Sequence, residues 1–165
     1  IRKDINKVFT FPQPQELKLK LKDMLEDEVD EKYYWNINDL EILKKQKTEE
    51  INFKWNSKVR KFIHRDDINI KGTYSLDAYN NSINYILHTL TTPHNTLFVL
   101  HKGKIRKLKP KECWRLMGFD DEDFKKASKV NSNTQLYKQA GNSIVVNVLE
   151  AILINLLQIN LLDNK

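Results

Sequence analysis

The run QAGNS, residues 139–143, places small and polar groups at the entrance of a strongly apolar stretch. Gly141 permits close backbone approach, and the Asn142 and Ser143 side chains offer hydrogen bonds. The apolar residues that follow recur at three- and four-residue steps, which predicts one helix through Leu157. The amides of such a helix start favour an anion such as a carboxylate. On these residues alone, a plain helix cap held by Ser143 is the more frequent explanation.

A second group of residues is charged: Arg106, Lys111, Glu112 and Arg115. Pro110 suits a first helical position, and Gly118 can end a helix in the left-handed conformation. The spacing therefore predicts a short helix with Cys113 on its apolar face. On these residues alone, the charged side chains could be a solvated helix face.

Basic residues that could contact phosphate are concentrated between residues 44 and 65: Lys44, Lys45, Lys47, Lys54, Lys58, Arg60, Lys61 and Arg65. Each is more often merely solvated, and only clustering on one face would make it a phosphate contact. The chain has a formal charge of +6, which favours a polyanionic partner, although a lysine-rich surface explains that charge equally well.

Cysteine and histidine exclude several chemistries. Cys113 is the only cysteine, so an internal disulfide is excluded and a reducing, intracellular setting is expected. The four histidines lack a metal-ligand spacing, and no metal site is predicted.

No secretory signal is visible near the first residue, and the missing initiator Met hints at a longer parent protein. Polar residues interrupt the apolar run 144–162, which favours a helix packed on protein over a membrane span.

The residue patterns predict helices at both ends of the chain and a β-rich centre. Apolar spacing predicts a helix from Leu21 past Val29, and a second short helix from Asn38. Alternation predicts strands around residues 51–55 and 59–63, and a hairpin turns at Lys102 and Gly103. Asp120 or Asp121 can cap a helix that follows Gly118, with residues 131–135 as a loop.

Two of these segments resemble motifs of the DNA (cytosine-5-)-methyltransferase family. The stretch IRKLKPKECWRLMGF, residues 105–119, is similar to the ninth motif, matched by Arg106, Leu108, Pro110, Lys111, Glu112, Arg115, Leu116, Met117, Gly118 and Phe119. Lys111 stands where the family usually has Arg and lacks the planar fork of a guanidinium. The tenth motif is matched by Gln139, Gly141, Asn142 and Ser143, followed by Ile144 and Val145.

Weaker matches extend the resemblance over nearly the whole chain. The segment FTFPQP with the acidic stretch after it resembles the crossing into the target-recognition lobe, and Thr89-Leu90 resembles a dipeptide that approaches the target base. The resemblance implies an α+β fragment: an irregular β-rich target-recognition lobe with flanking helices, whose last helix belongs to a Rossmann-like α/β methyltransferase domain. Residues 1–36 would be the crossing segment, 37–104 the recognition lobe, and 105–165 the returning motifs.

The resemblance also implies roles for individual residues. A cofactor-binding role falls on Gln139, Gly141, Asn142, Ser143 and Val145. DNA contact falls on Thr89, Leu90, Lys58, Arg60, Lys61 and Arg65. A scaffold role, with Glu112 paired to an arginine, falls on Arg106, Pro110, Glu112, Arg115 and Gly118.

The implied reaction is attack of a cysteine thiolate on a flipped-out cytosine of double-stranded DNA, with methyl transfer from S-adenosylmethionine. Cys113 does not match that nucleophile, because it follows Glu112 instead of proline. The family's Pro-Cys, glycine-rich and Glu-Asn-Val segments are absent from the sequence. The chain therefore resembles the carboxyl-terminal part of a bacterial cytoplasmic enzyme, inactive without an amino-terminal partner and prone to self-association.

Two alternatives remain open from the sequence. Residues 110–117 and 121–127 could form a helix-turn-helix-like DNA-binding module without enzymatic activity. The chain could also be a subunit that only stabilises a catalytic partner.

Overall fold

The computed structural model describes residues 9–14, 16, 18–35, 40–45, 48–55, 58–63, 71–77, 80, 82–90 and 97–162, with the backbone alone for 40–63, 97 and 158–162. The described chain is a small α+β structure with two antiparallel sheets and five α-helices. This confirms the predicted mixed class.

The first sheet is a meander of β1 (Leu40–Lys45), β2 (Thr48–Trp55) and β3 (Lys58–Ile63). The predicted strands around residues 51–55 and 59–63 are confirmed. The predicted helix from Asn38 is wrong where the chain is described, because residues 40–45 pair with β2, with Ile42 opposite Ile51. Pairing with a neighbouring strand satisfies the backbone groups that a short helix would satisfy internally, so tertiary context overrides a weak helical pattern.

The second sheet contains β4 (Thr73–Asp77), β5 (Ser82–Asn84), β6 (Leu97–His101) and β7 (Lys104–Lys107), in the order β5-β4-β6-β7. The predicted hairpin is confirmed: Lys102 and Gly103 both have positive φ, 50° and 79°, as a two-residue turn of the primed type requires. The expected lobe boundary at 104/105 falls inside β7. One core cluster lies in this sheet: Tyr74, Leu76, Ile83, Phe98, Leu100 and Ile105.

The amino-terminal helix is much shorter than its pattern predicts. Helix α1 spans Leu21–Met24, and Leu25 is already extended, so the predicted helix past Val29 is wrong. The amide of Glu26 donates to the Glu112 carboxylate at 2.8 Å instead of continuing the helix. A 3₁₀ turn, Glu31–Tyr33, follows before the chain meets β7 in a bridge between Tyr34 and Arg106.

Four helices follow β7: α2 (Pro110–Leu116), α3 (Asp121–Ser128), α4 (Asn133–Asn142) and α5 (Val146–Leu162). The signals for α2 and α3 are confirmed. Pro110 begins α2, Gly118 has a φ of 88°, and the Asp120 carboxylate caps α3 by accepting from the Asp123 amide at 2.7 Å. The loop expected at residues 131–135 is partly wrong, because Ser132 caps α4 and its first turn begins at Asn133.

The helix predicted to follow residues 139–143 and to run through Leu157 is confirmed as α5. A separate helix, α4, precedes it where no helix was predicted, and the two are bent by 41° at the break around residues 143–145. Within the described part of the chain, no single helix is long and apolar enough to cross a membrane; α4 and α5 reach that length only as this bent pair.

A second core cluster joins the sheet to the helices. Its buried members are Leu21, Val99, Leu108, Cys113, Trp114, Leu136 and Ala140. The Trp114 indole donates to the Leu136 carbonyl at 3.0 Å, which fastens α2 to α4. Helix α5, in contrast, exposes apolar side chains, among them Val148 at 51% and Leu157 at 59%.

Candidate functional site

A buried ion pair connects the second sheet with the first turn of α2. Arg106, on β7, donates from Nη1 to Glu112 Oε2 at 2.8 Å and from Nη2 to Glu112 Oε1 at 2.6 Å. Both side chains are essentially inaccessible, at 1% and 0% exposure. The pairing of Glu112 with an arginine, which the resemblance implied, is therefore present.

The Glu112 carboxylate also receives backbone donors from two directions. Oε1 accepts from the Glu26 amide at 2.8 Å and Oε2 accepts from the Lys109 amide at 2.7 Å. A buried carboxylate is tolerated when its lone pairs are satisfied in this way. Glu112 consequently links the segment after α1, β7 and α2 at one point.

A series of partly exposed ion pairs lies beside the Arg106–Glu112 pair. Glu26 binds Lys109 and lies 3.4 Å from Lys111, which in turn lies 2.9 Å from Asp121. Burial alone would raise the pKa of Glu26, but hydrogen bonds from the two lysines lower it overall. Lys111, the departure from the family's arginine, thus bridges two carboxylates as a point charge.

Arg115 makes the planar two-point contact that Lys111 cannot. Its Nε and Nη2 donate to the two oxygens of Asp121, each at 2.6 Å. Hydrogen bonds from Arg115 and then Lys111 hold the pKa of Asp121 well below its usual value. This contact fixes α3 against α2, because Asp121 belongs to the acidic first turn of α3.

Cys113 is a packing residue. Its thiol lies in the second core cluster, and burial raises its pKa to about 12. A thiol with that pKa carries almost no thiolate at neutral pH. The prediction of a buried structural cysteine is confirmed.

The expected cofactor residues lie at the end of one helix and not at the start of the next. Gln139, Gly141 and Asn142 occupy the last turn of α4, and Ser143 is its carboxyl-terminal cap. The Ser143 hydroxyl donates to the Ala140 carbonyl at 2.8 Å. The expectation that helix-start amides surround QAGNS is wrong, because the α4 carbonyls point there. Gln139, Asn142 and Val145 are exposed.

The break after α4 docks on the end of the ninth motif. The Val146 amide donates to the Met117 carbonyl at 2.9 Å, and a Cβ added at Gly118 would lie 3.1 Å from the Val146 Cβ. The two motifs therefore meet in space, and one amide at the start of α5 is already occupied.

The Thr-Leu dipeptide lies in the segment that follows β5. Thr89 is exposed, whereas Leu90 packs against the second core cluster. Lys58, Arg60 and Lys61 lie on β3, an edge strand of the first sheet, and Arg65 lies outside the described residues. The structure thus places the described DNA candidates on an edge strand of the first sheet and in the segment that follows β5.

Sequence reasoning missed two residues that organise these segments, Glu26 and His88. Glu26 lies in an acidic run and has no distinctive neighbours. His88 directly precedes Thr89-Leu90, and that adjacency was the one available signal. Among the described residues, no group of three or more His, Cys, Asp or Glu is arranged to hold a metal ion.

The helix-turn-helix alternative fits this geometry poorly. Helix α2 buries Glu112, Cys113 and Trp114, and the first turn of α3, which would lead into DNA, carries Asp121, Glu122 and Asp123. Three acids at the leading end of a recognition helix would repel phosphate.

The family model of the C-5 cytosine-specific DNA methylases matches residues 1–158. The chain therefore belongs to that family. It is 38% identical over 148 residues to the type II methyltransferase M2.ScrFI of Lactococcus lactis subsp. cremoris, which covers 89% of this chain and 36% of that protein.

Two further relatives differ in how much of the chain they match. The type II methyltransferase M.Bsp6I of Bacillus sp. (strain RFL6) is 35% identical over 156 residues, covering 91% of this chain and 44% of that protein. The orphan methyltransferase M.SPBetaI of Bacillus phage SPbeta is 71% identical over 52 residues, covering 31% of this chain and 12% of that protein. The chain spans less than half the length of each of these relatives.

Proposed function

We propose that this chain is the carboxyl-terminal part of a bacterial, cytoplasmic DNA (cytosine-5-)-methyltransferase, which methylates cytosine in double-stranded DNA alone or beside a restriction enzyme. In this proposal it supplies target recognition and one wall of the S-adenosylmethionine pocket. The match of residues 1–158 to the family is the observation that carries the proposal. The chain would be inactive without the part that bears the Pro-Cys nucleophile.

The proposed division of labour follows the two sheets and the returning helices. Residues 1–36 cross from the catalytic domain, 37–104 form the recognition lobe, and 105–165 return, with α5 completing a Rossmann-like domain. The apolar surface of α5 supports docking on that domain: Val148 and Leu156 are exposed, Ile152 is half-buried, and Val145, the residue before α5, is also exposed. Exposed apolar surface of this kind marks an interaction site or promotes self-association.

The carboxyl-terminal turn of α4 fits a cationic group of the cofactor. The partial negative charge at a helix carboxyl end favours a cation, and the Gln139 and Asn142 side chains are exposed beside it. These residues suit the ammonium of the cofactor's methionine end better than its carboxylate, which the sequence pattern had favoured. When bound, the cofactor supplies the methyl group, and this chain's residues would orient it.

Reconstitution tests the proposal directly. The chain is mixed with a family amino-terminal part that carries the Pro-Cys and glycine-rich segments, and transfer of labelled methyl groups to DNA is measured. We expect transfer by the mixture and none by either part alone. A mixture that binds DNA but never methylates it would contradict the proposal and favour the purely stabilising subunit.

Substitution of Asn142 tests the cofactor wall in the same mixture. Asn142→Ala should raise the KM for S-adenosylmethionine by roughly tenfold, equivalent to about one hydrogen bond, while the KM for DNA stays unchanged. Gln135→Ala is the matched control, because Gln135 is an exposed polar residue at the other end of α4. Equal effects of the two variants would remove Asn142 from the cofactor wall.

A further inference from the structure

His88 connects two strands of the second sheet to the segment that follows them. Its Nδ1 lies 2.7 Å from Ser75 Oγ on β4, and its Nε2 lies 2.7 Å from Ser82 Oγ and 2.9 Å from Asn84 Nδ2 on β5. Its own backbone amide donates to Ser75 Oγ at 3.2 Å. The residue is therefore held by both its ring and its backbone.

The hydrogen-bond donors around the His88 ring determine which of its two nitrogens carries the hydrogen. With Asn84 in this orientation, its amide nitrogen can only donate, so Nε2 must accept and Nδ1 must carry the hydrogen that it donates to Ser75. Burial lowers the pKa of His88, although the nearby Asp77 carboxylate acts in the opposite direction. The neutral imidazole is consequently the form at pH 7, which matches this set of hydrogen bonds.

Two neighbours of His88 are held by apolar packing. Leu87 and Leu90 pack against the second core cluster, whereas Thr89 is exposed between them. Leu87 and Leu90 are thus held by packing and His88 by hydrogen bonds, so Thr89 is the one side chain of residues 87–90 that faces solvent. A loop residue held this firmly on both sides loses little conformational entropy when it binds a ligand.

We propose that His88 is a positioning residue that presents Thr89 to the nucleic acid by fastening the Thr89-Leu90 segment to β4 and β5. The proposal rests on the proposed function for the DNA contact. The anchoring itself rests on the hydrogen bonds and packing alone. His88 touches neither cofactor nor reacting atoms in this role.

The anchoring is tested in this chain by NMR relaxation. In the wild type, backbone order parameters at residues 88–90 should be near ~0.85, and His88→Ala should lower them below ~0.6. His101→Ala is the matched control, since His101 is also half-buried and bonds one hydroxyl of the same sheet, Thr73 Oγ1 at 2.7 Å. Unchanged order in His88→Ala, or an equal loss in His101→Ala, would overturn the anchoring.

The DNA role is tested in the reconstituted enzyme. His88→Ala should raise the KM for DNA and reduce the fluorescence of 2-aminopurine placed at the target base, with the KM for S-adenosylmethionine unchanged. A decrease of at least ~10-fold in kcat/KM for DNA is expected, because misplacement by 1 Å can cost on the order of 100-fold. A general loss of folding would instead change both KM values together. His88→Gln, which retains an acceptor near the Nε2 position, should recover part of the fluorescence.

The outcomes separate the two proposals. Normal DNA kinetics and flipping in a His88→Ala enzyme whose segment has become mobile would overturn the positioning role. Absence of methyl transfer by the wild-type mixture would overturn the proposed function and the DNA role with it. The order parameters would still decide whether His88 anchors the segment.

Discussion

The Val146 amide, at the start of α5, donates a hydrogen bond of 2.9 Å to the carbonyl of Met117, the residue before Gly118. This contact makes the end of the ninth motif the support for the break in the tenth. The direction of α5 therefore depends on the backbone at Met117 and Gly118.

Gly118→Ala should destabilise the chain through both its backbone and its neighbour. The φ of 88° is unfavourable for a residue with a Cβ, and that Cβ would lie 3.1 Å from the Val146 Cβ. We expect a loss of about 2–3 kcal/mol in the free energy of unfolding, measured with urea, and faster hydrogen exchange at the Val146 amide.

Gly103→Ala provides the comparison for Gly118→Ala. Gly103 has a similar φ of 79°, but it lies in the β6–β7 turn. Its substitution should cost about 1–2 kcal/mol and leave exchange at Val146 unchanged. If both variants accelerate that exchange equally, Gly118 has no special part in positioning α5.

Glu112→Gln should lower the free energy of unfolding by about 3–5 kcal/mol, because it leaves the Arg106 charge buried and unpaired. The double variant Arg106→Met/Glu112→Leu should recover part of that loss. Recovery would be incomplete, since the amides of Glu26 and Lys109 also donate to Glu112. Urea denaturation of the two variants measures the difference. The exposed pair Lys102–Asp27 is the control, and Lys102→Ala should change stability very little.

Asp121→Asn should destabilise the chain at neutral pH and have no effect in strong acid. The folded-state pKa of Asp121 is lowered from 3.8, so its charged form contributes stability above pH 3.8 that is lost as pH falls through the lower folded value. Because the carboxylate is partly exposed, we expect less than ~1 kcal/mol. Stability of wild type and variant would be compared between pH 7 and pH 2.

Asp123→Asn is the matched control for Asp121→Asn. Asp123 lies in the same first turn of α3 but only approaches Lys126, at 3.5 Å. A wild-type difference for Asp121→Asn that stays constant down to pH 2 would contradict the contribution of its ion pairs.

Removal of the β3 charges should weaken DNA binding in a salt-dependent way. Replacing Lys58, Arg60 and Lys61 by Ala should reduce the slope of log K against log salt by up to roughly 3, if each contacts a phosphate. Replacement of Lys125, Lys126 and Lys129 removes the same charge from α3 and its carboxyl-terminal cap. Titration of a fluorescent duplex at several salt concentrations measures the slope for each triple variant. Equal slopes for the two variants would contradict a specific contribution of β3 to phosphate binding.

Local signals predicted the parts of the fold that local chemistry determines. Pro110, Asp120 and Gly118 define the limits of α2 and α3, because each acts on the backbone of its own turn. The Lys102-Gly103 turn was predictable for the same reason.

Long-range contacts determined what the sequence patterns missed. Helix α1 ends where Glu26 turns to Glu112, and β1 forms where β2 provides a partner. The bend between α4 and α5 depends on Met117 far from it in sequence. The motifs located the candidate cofactor segment, but only the structure revealed that it ends a helix, and no pattern indicated the hydrogen bonds of His88.

The bond from the Glu26 amide to the Glu112 carboxylate joins residues 86 positions apart. Both sheets lie inside the loop that it closes. Because the entropy of closing a loop grows only with the logarithm of its length, doubling this one would cost roughly 0.6 kcal/mol. Lengthening the connections between the strands would therefore add little to the entropy of closing this loop, so its two ends can remain joined while those connections vary in length.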